Sequence, residues 1–349
     1  MITMKDIANA TGVSVVTVSN ALRGKDNVSP ETAQRILETA DSMGYRVNAA
    51  NLAARNLRVR GTRNALPEKP VIGVAIFEFD NMQPAQLAAE ISRTASARRC
   101  QTLFQQTLTD AENEHSIIDN IANQFCDGLI LSSANLPVKD IIRFTKRRPT
   151  VLVDDDRPQE QLDTVLSPCE IGSAEAVRYL LDKGHRRIGF VGDGFGVMDD
   201  PMRLHSVGGR RMRGCADALS GAGMALTTGQ CIDTEWTWEG ARSAIHQIGE
   251  SIRGYDALFC LTDNIALGVI RGLGDLGIRV PDDIAVMGFD GCAIGECFMP
   301  GLTTVAVDIP QMASLAVDSV LDRIEGRIGV NEHGRRRIVG HHLEIRESA

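Results

Sequence analysis

The sequence predicts two architectures in one chain. Residues 1–47 form a small all-α helix-turn-helix headpiece, and residues 71–349 form an α/β body of two lobes, with parallel sheets and helices on both faces. Three observations predict this. The first 45 residues hold two close-set helix starts separated by a glycine turn, then a third capped helix. From Val71 onward, short apolar runs alternate with stretches of helical period, in two successive series. Charge is also divided: residues 1–69 hold ten Lys/Arg against six Asp/Glu, while the whole 349-residue chain carries −8. A basic head on an acidic body suits a polyanionic partner met at one end.

Thr3 offers its hydroxyl to the first free amides of a helix, with Asp6 three positions on as in a capping box. Ile7, Ala8 and Ala10 give that helix an apolar face, and Gly12 suits a turn of positive φ. Ser14 caps the second helix. Val18, Ala21 and Leu22 face inward at helical spacing, leaving Val15, Val16 and Asn20 outside. Ser29-Pro30-Glu31 starts a third helix with a capping hydroxyl, proline at the first position and an acid in the first turn. Ile36, Leu37, Ala40 and Met43 form its apolar stripe, and Gly44 is expected to end it. This is the shape that places a helix in the DNA major groove. Small helical domains without a nucleic-acid partner share the spacing, so both readings stand at this point.

Residues 48–70 read as a hinge helix and a polar, proline-containing linker. Beyond them, 71–76, 128–131 and 150–153 read as buried strands and 102–106 as extended. Residues 86–98, 115–124 and 170–183 read as helices, and 188–191 opens the second series. In such folds ligands bind at the carboxyl ends of the strands, here between the lobes. No apolar run is long enough to cross a bilayer and no signal peptide precedes the headpiece, so a cytoplasmic protein without membrane contact is expected.

Cysteines 100, 126, 169, 215, 231, 260, 292 and 297 lack CxxC or Cys/His metal spacing and read as small buried apolar groups; no metal or cofactor is expected. Gly192-Asp193-Gly194-Phe195-Gly196 resembles a dinucleotide loop, but Val197 stands where the third glycine belongs. No Ser/His/Asp order, Walker lysine or HExxH is present, which argues against an enzyme.

Met4-Lys5-Asp6-Ile7-Ala8, Gly12-Val13-Ser14, Thr17-Val18-Ser19, Val28-Ser29, Glu31-Thr32 and Gly44-Tyr45 together resemble the headpiece of the LacI/GalR family of transcription regulators, without a gap. The resemblance implies that Val15, Val16 and Asn20 meet base edges. Asn reads adenine through paired hydrogen bonds, and valine methyls pack on thymine methyl groups. Ser14, Thr17, Ser19 and Tyr45 are implied to hold phosphates. The family continues Tyr-x-Pro-Asn-x-x-Ala-Arg-x-Leu, a segment that wedges paired leucines into the minor groove. Here Val47 replaces proline, and three extra residues precede Ala54-Arg55-Asn56-Leu57. Leu57 is then the wedge, with Leu52 as substitute and Arg55 and Arg58 as DNA contacts.

Residues of roughly 71–346 resemble the family's effector domain, of type I periplasmic-binding-protein fold. The resemblance rests on Asp127-Gly128, Lys183 to Ile188, Arg211-x-x-Gly214, Asp263-x-x-Ala266-Leu267-Gly268, Val280 to Asp283, Gly288-Phe289-Asp290 and Leu302-Thr303-Thr304. It implies a first lobe of about 71–166 plus 303–325 and a second of about 168–298 plus 328–349. Arg211 and Asp290 are the expected main effector contacts, a fork and a carboxylate suited to sugar hydroxyls, unless they simply pair with each other. Met82-Gln83 stand where the family has an aromatic platform, and Ser167 where it has an aspartate on the first crossover. Trp236 or Trp238 could stack on a sugar ring. Thr262 precedes Asp263, the expected helix cap. The helices at 85–98 and 113–124 match the family's dimer faces, and with no leucine-heptad stretch read after Leu343 to Arg346 a dimer rather than a tetramer is expected.

The function implied is a homodimeric, sequence-specific repressor of carbohydrate-utilisation genes. It binds pseudo-palindromic operator DNA and is controlled by a small-molecule effector, a sugar in the first instance. A nucleobase, acid or phosphorylated effector is the other reading. A free-standing solute-binding protein and a nucleotide-dependent enzyme are the remaining ones.

Overall fold

The computed structural model describes residues 3–22, 28–43, 69–108, 110–119, 125–132, 135–145, 148–201, 203–329 and 332–349. Its headpiece consists of α1 (Met4–Thr11), α2 (Val15–Leu22) and α3 (Pro30–Ser42). Each start follows from its cap. Asp6 accepts from the Thr3 amide at 2.8 Å, and Thr3 Oγ1 accepts from the Asp6 amide at 3.4 Å, closing a capping box. Gly12 turns the chain at φ +68°, and Ser14 Oγ accepts from the Thr17 amide at 3.0 Å. Ser29 Oγ does the same for Thr32 at 3.3 Å. Ile7, Val18, Ala21, Leu22, Ile36 and Ala40 close the small core. Gly44, Tyr45 and the hinge residues Leu52, Arg55, Leu57 and Arg58 lie outside the described residues.

The body carries β1 (Val71–Ile76), β2 (Gln101–Gln106), β3 (Gly128–Ser132), β4 (Thr150–Val153), β5 (Asp163–Leu166) and β6 (Ile188–Gly192). Then come β7 (Cys231–Asp233), β8 (Ala257–Cys260), β9 (Ala285–Asp290), β10 (Thr303–Val307), β11 (Arg336–Ile338) and β12 (His341–Glu344). They form two six-stranded sheets, in the orders β11-β5-β4-β3-β1-β2 and β12-β10-β9-β8-β6-β7. Among the described residues only the β10–β12 pair is antiparallel. The connecting helices are α4 (Met82–Ala97), α5 (Ala111–Ile117), α6 (Val138–Phe144) and α7 (Cys169–Asp182). In the second half they are α8 (Val207–Gly221), α9 (Trp238–Ile248), α10 (Asp263–Asp275) and α11 (Ile309–Ile324).

The chain crosses between sheets three times, after β5, after β10 and after β11. This corrects the expected lobe limits. Residues 303–307, assigned to the first lobe, pair with β9 and β12 in the second sheet, and only α11 returns to pack on α4, β3, β4 and β5. Residues 336–338, assigned to the second lobe, pair with β5 in the first. A strand buried on both faces, as Thr303–Val307 is, has no alternation to say which sheet it joins. The helix expected from 115 begins at Ala111, where Asp110 accepts from the Glu112 amide at 2.8 Å; residues 120–124 lie outside the described set.

Phe190, Phe259 and Phe289 are fully buried against the second sheet's helices. Six cysteines are buried as expected; Cys231 is half-buried and Cys297 exposed. Gly214 lets α7 and α8 touch, since a Cβ there would run into the Glu170 carbonyl. Among the described residues no helix is long and apolar enough to cross a membrane.

Candidate nucleic-acid interface and ligand cleft

On α2, Ser14, Val15 and Val16 are exposed and Thr17, Ser19 and Asn20 half-buried. Val16 is 67% exposed, an unusual setting for a large aliphatic group on a helix whose sequence, VVTVSNAL, carries no charge. Ser14 Oγ lies 2.8 Å from Thr17 Oγ1, so the two hydroxyls form one polar corner at the start of α2. A helix with free N-terminal amides, two hydroxyls and outward methyl groups can meet a phosphate at its end and base edges along its face. The expected DNA-contact residues of α2 are all at least partly exposed.

The body holds a cleft of about 480 Å³ at the carboxyl ends of strands from both sheets. Phe77 follows β1, Asn135 β3 and Asp154 β4, while Asp193 follows β6, Thr262 β8 and Asp290 ends β9. Met82, Gln83 and Pro84, on the first turn of α4, supply one apolar wall and Trp236 faces the cleft from the second lobe.

Its charges come in pairs. Arg211 Nη2 donates to Asp290 Oδ1 at 2.7 Å and Nη1 to the Leu261 carbonyl, with the guanidinium 3.7 Å above the Phe289 ring. Both partners are buried, and Asp290 sits at φ +129°, a strained conformation for a residue with a Cβ. Burial pushes the Asp290 carboxyl up to about 6 against the downward pull of Arg211. Behind it, fully buried Asp263 accepts from the Cys292 amide at 2.6 Å and Thr304 Oγ1 at 2.5 Å. Burial, then the charge of Asp290, pushes Asp263 up to about 8. Asp263 is thus no helix cap. Thr262 is, its Oγ1 accepting from the Ile265 amide at 3.1 Å, because the cap needs extended backbone and Asp263 already lies within the helix.

Two further pairs face the cleft. Arg203 Nη2 donates to Asp193 Oδ1 at 2.8 Å, and Asp193 also accepts from the Trp236 indole. Asp193 presses on the first turn of α8, where a Cβ at Gly208 would collide with it; burial raises its carboxyl. In the first lobe Arg157 Nε donates to Asp155 at 2.8 Å and Nη1 to the Leu136 carbonyl at 2.8 Å. Across the cleft, Asn264 Nδ2 donates to Asn81 Oδ1 at 2.7 Å.

Of the expected effector contacts, Met82, Gln83, Arg211, Trp236, Thr262 and Asp290 line this cleft. Ser167 does not. It is 1% exposed, and its amide and hydroxyl donate to Asp154 Oδ1 at 2.7 and 2.6 Å, turning it into the crossover. Trp238 opens α9, half exposed, and is absent from the cleft lining. Sequence reasoning missed Asp154, Asp155, Arg157, Asp193, Arg203 and Asn264. The available signal was position, since acids directly after the apolar runs Val151–Val153 and Ile188–Gly192 fall at strand ends. The glycines around Asp193 serve this carboxylate and the strand turn, with Gly192 at φ +148°. Among the described residues no group of three or more His, Cys, Asp or Glu is arranged to hold a metal ion.

A helix-turn-helix unit joined to two cleft-forming α/β lobes defines a class: a DNA-binding regulator carrying a periplasmic-binding-protein-like domain. Comparison with known proteins agrees. Residues 3–48 match the model of bacterial regulatory proteins of the lacI family, and residues 177–349 match that of a periplasmic binding protein-like domain. The chain is 30% identical over 332 residues to the HTH-type transcriptional regulator GalS of Salmonella typhimurium, covering 95% of this chain and 92% of that one. The chain belongs to the LacI family of transcription regulators. It is also 27% identical over 348 residues to the ribose operon repressor of Haemophilus influenzae, covering 100% and 98%. A structure of the transcriptional regulator CelR–cellobiose complex shares the fold over 100% of both chains, at TM-score 0.71 and 24% identity.

Proposed function

We propose that this regulator is a homodimeric repressor of carbohydrate-utilisation genes whose operator affinity is set by a neutral small molecule bound between its lobes. The observation that carries the reading is the cleft itself, about 480 Å³, with paired charges from both lobes and an apolar wall beside Trp236. Hydroxyl-rich rings match such a surface, with donors and acceptors at their edges and an apolar face for an aromatic ring. Each cleft guanidinium already holds a carboxylate: Arg157 on Asp155, Arg203 on Asp193 and Arg211 on Asp290. That arrangement disfavours a phosphorylated or carboxylate effector, which would have to displace a protein carboxylate from its arginine. Two relatives point the same way by name, the ribose operon repressor and the CelR–cellobiose complex.

In this reading Val15, Val16 and Asn20 read bases, while Ser14, Thr17 and Ser19 hold phosphates. A two-fold operator calls for a two-fold protein, with α4 and the helix after Asp110 as the dimer faces. The effector shifts operator affinity by its differential affinity for two lobe arrangements. A thermal-shift screen tests it, with D-ribose, D-galactose, cellobiose, nucleosides and sugar phosphates as probes. A bound probe at about a hundred times its Kd stabilises by about 2.7 kcal/mol. The expected hit is a neutral sugar. A hit confined to nucleobases or phosphorylated compounds overturns the carbohydrate assignment, and no hit in any class overturns the effector reading.

A further inference from the structure

We propose that Arg210 is the positioning residue of the interlobe hinge, gripping the first crossover from the second lobe while Asp154 grips it from the first. Ser167 is the point of contact. Its amide and hydroxyl donate to Asp154 Oδ1 at 2.7 and 2.6 Å, and its carbonyl accepts from Arg210 Nη2 at 2.9 Å. Asp154 follows β4 of the first sheet and Arg210 projects from α8, packed on the second. One residue between β5 and α7 is therefore held from both lobes at once.

The distances around Arg210 divide by lobe. On its own side Nε and Nη2 donate to Glu170 at 3.1 and 3.0 Å. Across the boundary Asp156 Oδ2 lies 3.6 Å from Nε and Asp154 Oδ1 lies 3.9 Å from Nη1. These are ion-pair contacts just beyond hydrogen-bond length. Arg210 is fully buried, and its Nη1 makes no hydrogen bond. A buried guanidinium N–H beside an unreached carboxylate is an unfinished contact, and an approach of about 1 Å completes it. That approach is lobe closure. Asp154 lines the cleft and is held at φ +56°, so the carboxylate Arg210 draws toward itself is one that a ligand meets. Closure then completes the Nη1 bond, opening breaks it, and ligand and Arg210 bias the same displacement. The inference rests on the crossover geometry alone and holds whatever occupies the cleft.

The test uses the unliganded full chain, spin-labelled at exposed Lys139 on α6 and Ser220 on α8, in a Cys297→Ser background and diluted with unlabelled chain. Double electron–electron resonance then reads the interlobe distance distribution. Losing a charge-assisted bond made chiefly in the closed form raises the open-to-closed ratio about tenfold in Arg210→Gln. Arg210→Lys, which keeps the charge but not the fork, falls between. Asp154→Asn weakens the cross-lobe attraction without touching Arg210, and shifts the distribution in the same direction. It decides the matter should Arg210→Gln fail to fold. Distributions that superimpose on the parent chain in Asp154→Asn and in every folded Arg210 variant overturn the proposal. So does a Lys variant no closer to the parent than the Gln variant.

Discussion

The reading helix and the cleft use side chains in opposite ways. On α2 the residues proposed to read bases point outward: Val15 and Val16 are exposed, and the helix has no charge to neutralise. In the cleft, arginines and carboxylates act as pairs drawn from distant parts of the chain, such as Arg211 with Asp290 and Arg203 with Asp193. A surface that waits for a ligand can leave its residues unpartnered only where water reaches them. Where burial removes water, each charge must already hold a partner. Mutations in the two regions should therefore separate function from stability.

The sharpest contrast comes from removing half of a buried pair. Arg211→Met leaves Asp290 buried beside Asp263, and should cost about 3–5 kcal/mol in urea unfolding of the body. A cost below about 1 kcal/mol would break the comparison, because the pair would then behave as a surface one.

Raising the pH stresses the same pair from outside. Burial lifts the Asp263 carboxyl from 3.8 to about 8 and Asp290 to about 6, and Glu114 and Asp193 are lifted too. The folded chain then holds protons that the unfolded chain has released. The associated stability is present below the ordinary carboxylate range and is lost as pH rises through the folded values. Unfolding free energy should decline between about pH 5 and pH 8. Asp263→Asn, with its carbonyl on the Cys292 amide and its amide on Thr304, should flatten that decline. An unchanged slope in the variant would count against the burial argument.

On α2 the signature reverses. Asn20→Ala should cost about 1–3 kcal/mol of discrimination at one operator position. Val16→Ala should change unfolding by less than about 0.5 kcal/mol while weakening operator binding. Filter binding alongside thermal unfolding separates the two, and unchanged operator affinity in both variants would remove α2 from the interface. The smallest effect expected is at a cap: Thr3→Ala should cost the headpiece about 1 kcal/mol, read by helicity on heating.

This division also explains what could be read in advance. Thr3 with Asp6, Gly12, Ser14 and Ser29 act within four residues of their partners, so the headpiece was legible in the chain. Arg211, Asp290 and Thr262 were reached through short motifs around the second sheet, and Trp236 only as one of two tryptophans able to stack on a ring. Asp154, Asp193 and Arg203 were not, because their roles arise where strands from separate parts of the chain end together. Ser167 was read as a ligand contact for being on the crossover, yet its amide and hydroxyl both donate to Asp154 and the serine is buried outside the cleft lining. Thr303–Val307 looks alike in either sheet, and only pairing with β9 and β12 assigns it.

The central claim is that α2 reads a two-fold DNA sequence by groove contacts set on a salt-sensitive phosphate grip. In vitro selection from random duplexes by the full chain, followed by affinity for the enriched duplex across salt concentrations, tests it most directly. The account predicts a two-fold-symmetric sequence whose log affinity falls linearly with log salt, and an Asn20→Ala chain that loses preference at one position of each half-site. Failure to enrich any sequence, or an affinity indifferent to salt, would contradict it.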